Sequence, residues 1–148
     1  MKIKSLFRVL PPPATPEQIS ALLVSTGGEL PSSYIEFLLV SNGPESCIND
    51  QGGDCLAFYH AAEVQEMNKA YQIARWMPEY LAIGSNGGGH AVGLDRRESA
   101  IPDEWPVVKV AFGNLGWEDS KRLATSFREW QQGGFKLRSS DAPSSPHP

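Results

Sequence analysis

Two places in this sequence carry residue types and spacings that could do chemistry: a glycine tract at 85–89 and the acids Glu45, Asp50 and Asp54. A glycine-rich loop binds phosphate when its amides form a cradle and a lysine reaches the terminal oxygens, as in Gly-x-x-x-x-Gly-Lys-Ser/Thr. Gly84 and Gly89 have that spacing, but His90 and Ala91 stand at the lysine and hydroxyl positions. The segment after Gly89 reads as strand, so no helix N-terminus would face an anion. A dinucleotide fingerprint would need glycine where Val92 stands, and a nucleophile elbow at Ser85 would need it at Ile83. Asn86-Gly87 instead suits the positive-φ positions of a hairpin turn. The tract is therefore expected to be a turn.

The acids fare no better as catalysts. Paired carboxylates divide acid and base roles when their surroundings push their pKa values apart, and nothing apolar in sequence flanks Glu45, Asp50 or Asp54. They read as solvated loop acids or as a partner-binding surface. His60, His90 and His147 share no helix face and no short spacing, so no metal site is expected. Cys47 and Cys55, with seven residues between them, suit neither a disulfide framework nor a zinc site and read as reduced thiols near a loop. No catalytic residue and no cofactor is expected.

Charge and aromatics say more. Residues 9–68 hold eight carboxylates and no Lys or Arg, so this stretch carries −8 while the remainder carries +4. Such a segment either is a solvated face or attracts a basic partner. Nucleic-acid binding, which needs clustered Lys and Arg, is not expected. Of the four tryptophans, Trp130 continues the stripe of the last helix and belongs to the core. Trp105 and Trp117 lie in turn-like stretches beside Asp103-Glu104 and Glu118-Asp119. Each is a lid over the core or an anchor at an interface, where tryptophan is enriched.

The elements that must position these residues belong to one domain: 148 residues, 41% hydrophobic and 20% charged, fall in the globular range. No apolar run could span a bilayer, and the charged N-terminus does not resemble a signal peptide, so cytoplasmic residence is the expectation. Residues 1–14, with Pro11-Pro12-Pro13, read as an extended lead-in, 15–135 as the domain, and 136–148 as a disordered Ser/Pro-rich tail. Thr15-Pro16-Glu17-Gln18 opens a first helix with a capping box, closed by Gly27-Gly28. Tyr34, Phe37 and Leu38 form the stripe of a second, closed by Asn42-Gly43. After a loop over 44–54 and a strand from Cys55, a third helix carries Val64, Met67, Tyr71 and Ala74. Strands are expected over 80–84, 90–95 and 106–112, and a last helix over 120–132. The fold class is α+β: a mostly antiparallel, curved sheet flanked by about four helices.

The order of these pieces resembles the SUKH superfamily, which includes bacterial toxin-immunity proteins and yeast cell-wall assembly regulators. Leu30-Pro31-x-x-Tyr34-x-x-Phe37-Leu38 ending in Asn42-Gly43 carries the resemblance, with Glu63-Val64, Asn68-x-x-Tyr71, residues 82–89 and Leu123-Ala124-x-Ser126-Phe127-x-x-Trp130 following in order. His60 and Trp130 depart from the usual pattern. The resemblance implies an α+β domain, no catalytic residues, and a cytoplasmic immunity-type protein that neutralises a cognate toxin, often a nuclease, by masking its active surface. The alternative is a regulatory or scaffold module in cell-envelope or signalling pathways. The acidic stretch adds that the partner protein has a basic surface. Glu45, Asp50, Asp54, Glu63, Glu66, Trp105 and Trp117 are the candidate partner-binding residues.

Overall fold

A computed structural model describes residues 7–47 and 55–137. Helices α1 (Pro16–Ser25) and α2 (Ser32–Val40) precede strands β1 (Glu45–Cys47) and β2 (Cys55–Phe58). Helices α3 (Ala61–Ala70) and α4 (Ile73–Trp76) lead into β3 (Tyr80–Ser85), β4 (His90–Asp95), β5 (Val107–Ala111), β6 (Lys121–Ala124) and α5 (Phe127–Gln132). The six strands form one open sheet in chain order, every neighbouring pair antiparallel. This is the α+β domain expected. β3 and β4 are buried along nearly their whole length, as central strands covered on both faces should be.

The caps explain where the helices begin. Thr15 and Gln18 form the reciprocal box that opens α1. Neither α2 nor α3 is capped by the residue before it. The Asp103 carboxylate accepts from the Ser32 N–H (2.7 Å) and hydroxyl to cap α2, and the Asn42 carboxamide oxygen accepts from the Ala61 N–H (2.7 Å) to cap α3. His60, a poor cap by type, is thus relieved of the task by a distant asparagine. The proline lead-in is tied across the end of α2, where the Ser41 hydroxyl donates to Pro11 and the Asn42 N–H to Pro12.

Four expectations need correction. The 44–54 loop contains β1, held by Val9 on one side and β2 on the other. The third helix breaks at Gln72, whose left-handed backbone (φ 53°) resets the phase. Ile73 and Met77 then turn inward, while Tyr71 and Ala74, expected on the stripe, are exposed. The last helix begins only at Phe127, because Ser126 caps it and residues 121–124 pair with β5. The fourth concerns the thiols: Cys55 is disulfide-bonded, and Cys47 is its partner in the β1–β2 register. Reading 44–54 as a loop conceals this.

An aromatic cluster holds the layers together. Phe37 packs at 4.6 Å on Phe58, and Phe127, Trp130 and Phe135 meet them edge-on. Phe7, assigned to the lead-in, joins the same cluster. Trp130 is core, as expected, and its indole donates to the Lys136 carbonyl. Packing continues to Leu137, which is buried. The tail expected to be disordered lies, from residue 138 on, outside the described residues.

Candidate interaction surfaces

The glycine tract closes the β3–β4 hairpin. Asn86 is buried, and its carboxamide oxygen accepts from the amides of Gly88 (2.8 Å) and His90 (3.0 Å), while the Gly87 N–H donates to the Ser85 hydroxyl. Three amides a phosphate cradle would use, those of Gly87, Gly88 and His90, are therefore engaged within the turn. Positive φ falls on Gly87 and Gly89, which is where the turn requires glycine.

The acidic candidates separate by role. Glu45 is exposed on β1, and its own N–H and carbonyl pair with the backbone of Arg8 and Val9. Glu63 and Glu66 are exposed on α3. Glu63 also has a structural role: its carboxylate accepts from the His60 N–H at 3.0 Å and lies 3.6 Å from the ring Nδ1. Gly43 packs directly against His60, and Pro44 accepts from the Phe58 N–H. That contact brings the start of β1, with Glu45, to the start of α3, with Glu63. Asp50 and Asp54 lie outside the described residues.

The two tryptophans are built into the molecule. Trp105 is 4% exposed and its indole donates to the Ser99 carbonyl at 2.8 Å, so it is a lid and offers no surface for contact. Trp117 is half-buried, donates to the Pro78 carbonyl, and lies under Arg97, whose guanidinium carbon is 3.6 Å from the ring centroid. Arg97 also grips the buried Asp95 through two bonds of 3.0 Å. That carboxylate holds the guanidinium pKa above its ordinary value.

Sequence reasoning passes over a different aromatic surface. Trp76 is 53% exposed, and exposed Tyr71 stacks on Phe112 at 4.1 Å. The available signal is phase: Trp76 falls off the helical stripe that Val64 and Met67 define. Among the described residues no three His, Cys, Asp or Glu side chains converge as metal ligands, and no helix is long and apolar enough to cross a membrane.

An open six-stranded antiparallel sheet covered by five short helices, with all described carboxylates but Asp95 and several aromatic rings outside, defines a single α+β domain with charged and aromatic surfaces. The model of the SMI1 / KNR4 family (SUKH-1) matches residues 13–133, and the chain belongs to that family. At family level its role is that of a toxin-immunity or Smi1/Knr4-type protein. Such proteins are generally non-enzymatic and suggest protein–protein interaction. No curated protein matches the chain.

Proposed function

We propose that this protein is an immunity-type binder that neutralises a cognate bacterial toxin in the cytoplasm by covering its active surface. The toxin carries a basic face, such as the substrate groove of a nuclease, and the acidic side of this domain meets it. The observation that carries the reading is the run from residue 9 to 68 without Lys or Arg, in which Glu45, Glu63 and Glu66 all project to solvent. A predominantly acidic surface accelerates encounter with a basic partner and disfavours acidic ones. Family membership supports a protein partner, and the charge supports the acidic side as the face that meets it.

Affinity capture with the full chain from its native cells tests the class. The expected catch is a basic toxin, encoded beside this protein and inactive in the complex. Recovery of an envelope or signalling protein in its place would establish the regulatory role that the family also contains.

A further inference from the structure

Three cations, Lys69, Arg75 and Arg96, line one cleft at the end of α3 opposite Glu63. A cleft of about 310 Å³ lies between the end of α1, the later half of α3, α4 and the start of β3. Val64, Tyr80 and Leu81 form its apolar floor, and Lys69, Arg75 and Arg96 stand around it. Among the described residues, the ion pairs are His60–Glu63 and Arg97–Asp95, so none of these three cations has a carboxylate within 4.0 Å. Arg96 is positioned by backbone: its N–H donates to the Glu79 carbonyl at 2.9 Å. The end of α1 does not oppose an anion with free carbonyls. Those of Leu22, Leu23 and Val24 already accept from Thr26, Gly27 and Gly28.

A second cleft of about 310 Å³ is lined by Trp76, Phe112 and Leu115. The two are joined through consecutive residues: Arg75 borders the first, and its guanidinium lies 5.0 Å over the Trp76 ring that borders the second. Exposed Trp76 therefore stands beside Arg75, which has no carboxylate partner.

We propose that the α3–α4 corner is a second docking surface, for an acidic linear segment of a protein partner. Its carboxylates meet Lys69, Arg75 and Arg96, and one apolar side chain sits on Trp76, Phe112 and Leu115. Charge complementarity selects this occupant. A single-stranded nucleic acid also uses cations and rings, but three cations on a chain of net charge −4 give it a weak electrostatic footing. The surface is independent of the acidic face.

The probes are three: a labelled peptide of Glu and Asp with one central Leu, the same peptide with Gln and Asn, and a short oligothymidylate. Anisotropy titration of the full chain at low salt is expected to show binding of the acidic peptide, about tenfold weaker for its neutral counterpart and weakened by added salt. Lys69→Gln with Arg75→Gln, both exposed, should reduce affinity by about tenfold with an unchanged melting temperature, and Trp76→Ala should do so at high salt as well. Failure of the acidic peptide to bind, equal binding by the double variant, or binding of the oligonucleotide alone overturns the proposal. Because no toxin enters the assay, these outcomes leave the acidic-face reading untouched. Conversely, a chain that fails to neutralise any toxin can still bind the peptide.

Discussion

Tyr34 occupies the second helix in the middle of the core, and its hydroxyl is buried with no hydrogen-bond partner among the described residues. An unpaired buried hydroxyl costs about 1–3 kcal/mol. Tyr34→Phe keeps the ring on Phe127 and should therefore stabilise the fold, raising the thermal midpoint by about 2–4 °C. Burial pushes the Tyr34 phenol above its ordinary pKa. Because the folded pKa is the higher one, its share of stability is intact below about pH 10 and is lost as pH rises beyond that. The variant should accordingly lose stability less steeply than the parent in alkaline denaturation. Asn68 is the opposite case. Beyond Phe58, the end of β2, its carboxamide takes the place of a strand, accepting from the Ala82 N–H (3.0 Å) and donating to the Ala82 carbonyl (2.9 Å). Asn68→Leu should cost about 2–3 kcal/mol in denaturant unfolding, since two strand groups lose their partner. A residue's type is a good guide where one local pattern decides its role, as at Thr15 and Gly87. It is a poor guide at Asn68, whose partner Ala82 lies in another element fourteen residues on.

The same division holds for elements. α1 is legible because its cap, stripe and stop are all local. α5 is shorter than its spacing suggests because Leu123 and Ala124 match the stripe of a helix, although they are buried as part of a strand. The corrective signal is present in the chain: Ser126-x-x-Glu129 is a capping-box pattern, and the Ser126 hydroxyl accepts from the Glu129 N–H while Glu129 accepts from Thr125. The Thr125 backbone N–H and then its side chain hold the Glu129 carboxyl below the usual carboxylate range. A depressed folded pKa contributes stability above the unfolded value of about 4.3, and that contribution is lost as pH falls through the folded one. Melting curves of Glu129→Gln and its parent should differ at neutral pH and converge in acid. β1 escapes sequence reading because three residues are too few for an alternation to show, and its cysteine pairing escapes with it. A disulfide is the exception in a reducing compartment, so the thiol state of Cys55 in the cell bears directly on the proposed cytoplasmic residence. Between the central strands the approach is so close that a Cβ on Gly93 would strike the Leu81 carbonyl and come within 2.8 Å of the Ala82 Cα. Gly93→Ala should destabilise by at least about 1–3 kcal/mol, which equilibrium unfolding would read.

At the scale of the molecule, topology follows from short connections: each strand pairs with the next, and the helices inserted along the way cover the sheet. Fold class and family order are readable because they depend on the sequence of elements and tolerate errors at their ends. The surfaces are only half readable. Composition shows the acidic stretch, but only tertiary structure brings Arg96 to the cleft beside Lys69 and Arg75. Along α3 itself Glu63 stands in the first turn and Lys69 in the last, as the helix dipole also favours. Glu63 is a poor choice for probing the acidic side, because replacing it would also remove its bond to the His60 N–H. Glu45 and Glu66 are the clean pair. The most direct measurement is the association rate of the captured partner with the parent protein and with Glu45→Lys, Glu66→Lys, followed across salt concentration. Association of the double variant is expected to be about tenfold slower or more at low salt, with a flatter salt dependence. Equal rates and equal salt slopes in the two proteins would contradict it.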